Sequence, residues 1–271
     1  MRHLLTVDLE DWYHSISTIA VSEWSEYEPR VLIGTERILE IFKKHNYRAT
    51  FFVLGAVAAQ NPDLIKRLVD EGHEIGSHGY AHRLVYNQSD EEFRQDVERS
   101  LEILSPLAGE VRGYRAPWWS ITKESVWALP MLRELGFHYD SSIYPAYAGY
   151  YGISGAPRFL NRPDAAPELW EVPPLTCKFA GRIWPAGGGF YLRTFPGWFH
   201  RKAIRQAERD GHPGMLYLHP WELDPEQPRI KLPFMQGLIH YTRLSKMESS
   251  LERLLNEFEF VPVSEGLGLS G

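Results

Sequence analysis

The 271 residues include 44% hydrophobic and 24% charged side chains, a composition that fits a globular chain able to bury a substantial core. A formal charge of −6 gives no electrostatic reason to expect nucleic acid as a partner, and a single cysteine, Cys177, excludes an intrachain disulfide. No apolar run is long enough to span a membrane, and acids begin at Asp8, leaving no room for the apolar core of a signal peptide; a cytoplasmic location is the expectation.

Leu4 to Leu9 is an apolar run ending in acids and predicts a first buried strand. Ile38, Leu39, Ile41 and Phe42 give Ile33 to His45 a helical spacing, and the β-branched and aromatic run Ala49 to Leu54 predicts a second strand. Asn61-Pro62 opens a helix that closes near Gly72, followed by a short strand from His73 to Ser77. Ser89 and Glu92 form a capping box for a helix carrying Phe93, Val97, Leu101 and Leu104. Gly113 begins another strand, Lys123 to Leu135 reads as a helix, and residues 141–167 read as a long aromatic, Gly/Pro-rich loop. Trp170 to Pro173 looks like a strand end, Pro196 to Arg209 like a helix, and Met215 to His219 like an apolar strand ending in a histidine. Leu244 to Phe258 is a last amphipathic helix.

The β-α-β-α alternation predicts an α/β fold with a parallel sheet or barrel. We divide it as a barrel over residues 1–225 and an extension over 226–271 packed on the barrel. Asp8, His78, Arg115 and His219 all fall at C-terminal strand ends, the edge where parallel α/β folds place their active sites.

Asp8, Glu10 and Asp11 crowd three carboxylates into four positions, which demands a compensating cation unless the loop is simply solvated. His78 and His82 are four apart and can face one ion, although surface histidine pairs of this spacing are common. A carboxylate with two neutral imidazoles leaves open positions on a metal, as hydrolysis requires. Arg115, before Ala116-Pro117-Trp118-Trp119, can pair with a buried carboxylate or lie on the surface beside a core tryptophan. His219 can be a satisfied core residue or an acid that titrates near neutrality.

In order and combination, Thr6-Val7-Asp8, Ser77-His78-Gly79-Tyr80-Ala81-His82, Arg115-Ala116-Pro117-Trp118 and Leu216-Tyr217-Leu218-His219 resemble the signature of polysaccharide deacetylases (NodB-homology, carbohydrate esterase family four). Asp140-Ser141-Ser142 matches a further motif more loosely. The Val-Asp-x-Glu-Asp start, the run His219 to Arg229, and His240-Tyr241 with Arg243-Leu244 resemble the branch associated with exosortase systems and exopolysaccharide synthesis.

The resemblance implies a distorted (β/α)7 barrel with a short C-terminal helical extension, an acetylated carbohydrate substrate, and a divalent metal, Zn2+ before Co2+, Ni2+, Mn2+ or Fe2+. It implies Asp8 as base, His219 as acid, Arg115 as the group that holds Asp8, and His78 and His82 as metal ligands. The family's usual Asp-Asp pair is replaced here by Asp8-Leu9-Glu10-Asp11, so the third ligand is Asp11 or Glu10. Asp11 is favoured because a turn after the strand can bring it round, although on an extended strand Glu10 shares a side with Asp8.

Asp140 and Glu171 are candidates to orient His219, and Trp118, Trp119, Tyr144 and Trp221 are candidates to stack on sugar. Gly187-Gly188-Gly189 reads as a tight turn or cleft wall, and Glu222, Asp224 and Glu226 as a solvated acidic loop. The competing functions are a cyclic-imide or ureide hydrolase on the same barrel and a barrel that binds sugar without turnover.

Overall fold

In a computed structural model, which describes residues 1–146 and 151–269, the first apolar run forms strand β1 (Arg2–Leu9). Alternation splits its side chains. Leu5, Val7 and Leu9 join the large core, whereas Leu4 packs into a second cluster with Phe52, Tyr139, Met215 and Val261. Thr6 and Asp8 share parity with Leu4, so the strand delivers a carboxylate at the end of its inner face.

The chain continues through α1 (Val31–His45), β2 (Thr50–Val53), α2 (Gly55–Gln60), α3 (Pro62–Asp70), β3 (Glu74–Ser77) and α4 (Asp90–Ala108). Then come β4 (Gly113–Tyr114), α5 (Ala128–Glu134), β5 (Tyr139–Asp140) and β6 (Trp170–Glu171). A hairpin, β7 (Thr176–Phe179) with β8 (Arg182–Pro185), precedes α6 (Gly189–Thr194), α7 (Gly197–Arg209) and β9 (Met215–Leu218). The chain closes with α8 (Phe234–Tyr241), α9 (Met247–Leu255), β10 (Glu259–Val261) and α10 (Val263–Gly266).

The main sheet is parallel and eight-stranded, in the order β10-β1-β2-β3-β4-β5-β6 with β9 also on β1, and it curls into a half-barrel wrapped by helices. This is the α/β architecture expected. Because β1 bonds β2, β9 and β10, the strand carrying Asp8 is the most tightly held in the sheet.

Two expectations change. The segment after residue 225 is not laid on the outside of a finished barrel, because β10 pairs with β1 inside the main sheet. The helix expected from Leu244 to Phe258 is shorter, with a 3-10 turn at Leu244–Lys246 leading into α9. The periodicity reading also passed over α2, α6, α8 and the β7–β8 hairpin, all short elements with weak patterns. Residues 147–150 of the expected long loop lie outside the described residues.

Candidate active site

Just beyond β1 the backbone turns, with Glu10 N–H donating to the Asp8 carbonyl at 3.0 Å. That turn keeps Glu10 on the same side as Asp8. Its Oε2 lies 2.7 Å from His82 Nε2. Donor atoms of Glu10, His78 and His82 all lie within 4.8 Å of one another, the one such triad of His, Cys, Asp or Glu among the described residues. Burial opposes ionisation of Glu10, but the three histidines around it, His82 foremost, hold its carboxyl well below the usual range.

Asp11, the favoured third ligand, is elsewhere. Its Oδ1 accepts from Trp12 N–H at 2.9 Å, and its Oδ2 accepts from Arg30 N–H at 2.7 Å and Val31 N–H at 2.9 Å. It thus fastens the loop to the start of α1, where a carboxylate satisfies otherwise orphaned donors. The structure replaces Asp11 with Glu10 in the triad. The two-residue parity from Asp8 to Glu10 was the sequence signal for it.

His78 follows β3 directly. Its Nδ1–H donates to the Arg115 carbonyl at 2.8 Å, which leaves Nε2 free to face the triad. Burial pushes it down to about 4, so the imidazole is neutral near pH 7. His82 sits at the end of a loop whose Tyr80 and Ala81 N–H groups donate to Asp96 at 2.7 and 3.1 Å. Gly79 has φ +71°, and a Cβ there would lie 2.7 Å from Asp96 Oδ2, so the loop needs glycine at this point. Asp96 on α4 thus holds the loop in place, a role the sequence reading did not assign.

Arg115 is buried beneath Asp8. Its Nη1 donates to Asp8 Oδ1 at 2.5 Å and to Thr6 Oγ1 at 3.0 Å, and its Nη2 donates to Ser141 Oγ at 2.9 Å. The guanidinium also lies 4.1 Å from the centroid of the Phe52 ring. The pairing expected of Arg115 is present.

Across the cleft, His219 ends β9 with Nε2 3.8 Å from both Asp8 Oδ2 and Glu10 Oε1. Its Nδ1 is 3.1 Å from Glu222 Oε2, which also accepts from the His219 backbone N–H at 3.0 Å. Glu222 Oε1 accepts from the buried Arg193 of α6. Burial alone would lower the His219 pKa, but Glu222, then Glu10 and Asp8, raise it to about 9. Gly189 makes this packing possible, because a Cβ there would fall 1.8 Å from the Glu222 carboxylate.

The partner of His219 is therefore Glu222, and neither Asp140 nor Glu171. Glu222 and Asp224 are buried, so two of the three acids read as a solvated loop are not solvated; Asp224 pairs with Arg30 at 2.6 Å. The signal was the spacing in His219-Pro220-Trp221-Glu222, a capping box with Pro at the first helical position. Asp140 and Glu171 instead face each other behind the Arg115 loop. Asp140 accepts from Ser142 Oγ at 2.5 Å, and Glu171 accepts from Ile143 N–H at 3.0 Å.

The four aromatic candidates separate by exposure. Trp118 is 36% exposed, in a turn with left-handed φ 54°. Trp119 and Tyr144 are buried and pack edge to face on each other. Trp221 is buried too, stacked between His219 and His240, with Nε1–H donating to Glu10 Oε1 at 3.3 Å. Trp119, Tyr144 and Trp221 thus form walls, and Trp118 alone of the four presents a face to solvent.

Comparison with known proteins finds similarity along most of the chain. A family model described as polysaccharide deacetylase matches residues 33–139, and a domain of unknown function (DUF3473) matches residues 141–267. The peptidoglycan-N-acetylglucosamine deacetylase of Bacillus cereus is 38% identical over 96 residues, 35% of this chain and 35% of its own. The peptidoglycan deacetylase of Helicobacter pylori is 34% identical over 124 residues, 44% of this chain and 40% of its own. The matched region is thus less than half the length of either relative. In fold, a Mycobacterium smegmatis protein assigned to the polysaccharide deacetylases has a TM-score of 0.59 at 21% identity, over 98% of this chain and 89% of that one. Over residues 33–139, which include His78, His82 and Arg115, the chain thus matches the polysaccharide deacetylase family.

Proposed function

We propose that the protein is a metal-dependent hydrolase that removes N-acetyl or O-acetyl groups from a polysaccharide or oligosaccharide. The observation that carries this reading is the convergence of Glu10, His78 and His82 within 4.8 Å, flanked by Asp8 and His219. The residues fit a divalent cation. Glu10 Oε2 is buried and, although 2.7 Å from His82 Nε2, makes no hydrogen bond, and His78 is locked with its second ring nitrogen free. Two imidazoles and one carboxylate favour zinc over harder cations, with Co2+, Ni2+, Mn2+ and Fe2+ as substitutes. When bound, the ion supplies Lewis acidity to the acetyl carbonyl and acidity to the attacking water.

The protein's own groups supply the proton transfers. Arg115 holds Asp8 Oδ1, which fixes the carboxylate and aims Oδ2 into the cleft, where it accepts the proton of the attacking water. Glu222 anchors His219 through Nδ1, so the proton on Nε2 faces the same cleft. His219 gives that proton to the leaving sugar nitrogen (or oxygen) as the bond to the acetyl carbon breaks, and acetate and a free amine (or hydroxyl) depart. Trp118 offers an exposed ring face to a sugar. The names of the relatives support a glycan amide as substrate, and the sequence resemblance to the exosortase-associated branch points to an exported polysaccharide or its precursor.

Acetate release from N-acetylated hexosamine oligomers and from acetylated polysaccharide is the test. Release is expected to fall by about a hundred-fold or more after chelation and to return with added zinc. No release with any divalent metal overturns the hydrolase in favour of a sugar-binding barrel.

A further inference from the structure

Helix α8 turns an apolar face outward. Phe234 and Met235 are 81% and 61% exposed, and Leu238 and Ile239 are exposed beside them. Its other side is committed inward. His240 is buried against Trp221, with its Nε2 2.8 Å from Gln227 Oε1. Arg193 donates to the carbonyls of Ile239, His240 and Thr242. The helix is therefore held firmly while four large apolar side chains face water, an arrangement that marks an interaction surface.

The charge of its own segment is one-sided. From Gln227 to Met247 the sequence contains no Asp or Glu, in a chain whose net charge is −6. Within that stretch Arg229, Lys231, Arg243 and Lys246 are all exposed and bracket the helix on both sides. A second copy of the chain docking through the same face would bring these cations against their own kind, which disfavours self-association. At eight residues the helix is about 12 Å long, far short of a span, so it can only lie on a bilayer.

We propose that α8 and its flanks form a membrane-docking element for an anionic lipid surface, with Phe234 and Met235 entering the acyl boundary and the four cations meeting headgroups. Through His240 and Trp221 the element packs directly behind His219, so docking sets the active site at the lipid surface.

Cosedimentation with phosphatidylcholine vesicles, with and without about a third phosphatidylglycerol, tests this. The expected result is binding to the anionic vesicles that weakens with salt. The double variant Phe234→Ser/Met235→Ser is expected to lower the partition coefficient about ten-fold or more, and Lys231→Glu/Lys246→Glu to do likewise. Acetate release from a soluble oligomer should stay within about two-fold of wild type in both, so a failure of the hydrolase reading registers separately. Three outcomes overturn the proposal. One is no binding to anionic vesicles at low salt. Another is binding insensitive to both double variants, or abolished instead by Phe179→Ser/Trp184→Ser on the β7–β8 hairpin. The third is a dimer in solution that Phe234→Ser/Met235→Ser dissociates.

Discussion

On the β1–β4 flank of the site, backbone contacts position Asp8, Glu10, His78 and His82. The strands leading into them, β1 and β3, are both hydrogen-bonded to β2, the Arg115 carbonyl fixes His78, and two loop N–H groups on Asp96 lead into His82. On the β9 flank, side chains from distant elements position His219. Glu222 lies three residues on, Arg193 comes from α6, and His240 of α8 supports the ring stack. The first flank brings donor atoms together around one point, as a cation requires. The second surrounds one imidazole with buried charge, which is how a proton is held ready.

The sharpest way to break this contrast is to remove one histidine from each flank. His78→Ala and His219→Ala should each lower kcat by about a thousand-fold or more, yet only His78→Ala should lose bound metal, as read by elemental analysis of purified protein. Glu10→Gln should behave like His78→Ala. Asp11→Asn should retain metal and lose stability instead, because its oxygens hold backbone N–H groups at the start of α1. Equal metal loss in His78→Ala and His219→Ala would dissolve the division of roles, and metal loss in Asp11→Asn without loss of stability would return that residue to the ligand set.

The next effect belongs to Glu222. With its carboxylate present, His219 stays protonated up to about 9, and a bound dication would pull that value down, so Glu222 is what keeps the acid charged near neutrality. In Glu222→Gln the burial that opposes the charge is less well balanced. The alkaline limb of the kcat profile should therefore move to lower pH, with kcat at pH 8 down by about a hundred-fold and metal content unchanged. The same change leaves Arg193 buried beside a neutral partner, at a cost of about 3 kcal/mol, so the profile must be taken on folded protein checked by circular dichroism. A limb that stays in place while kcat falls would make Glu222 merely structural.

How much of this the sequence disclosed follows the same division. Asp8, His78, His82 and Arg115 were readable because each ends or follows an apolar strand and a parallel sheet gathers such ends at one edge. His219 was readable for the same reason. Its partner was not, since Glu222 lies in an acidic run that looks solvated and becomes buried only because Gly189 lets α6 approach and Arg193 supplies the counter-charge. Asp11 was favoured over Glu10 on the expectation that a turn would carry it to the metal; the turn instead keeps Glu10 beside Asp8, and Asp11 is taken up by the N–H groups at the start of α1. The burial of Trp119, Tyr144 and Trp221 is a packing outcome that aromatic content alone does not encode.

The smallest expected effect sharpens the comparison from below, at the pair once considered for His219. Burial raises Asp140 to about 6 and Glu171 well above its ordinary range, so in the fold the two hold a proton that unfolded carboxylates release near pH 4. Stability from that proton is full below about pH 4 and is lost as pH rises through about 6 and beyond. Glu171→Gln supplies a permanent N–H toward Asp140 and keeps an oxygen for Ile143 N–H, so it no longer needs the proton. Its Tm should match wild type near about pH 5 and exceed it by about 2–4 °C near pH 8, a difference of about 1 kcal/mol. The pH profile of acetate release should not move, because His219 answers to Glu222 across the cleft. A Tm offset that is constant with pH would show that the pair shares no proton, and a displaced rate profile would tie Glu171 to the acid after all.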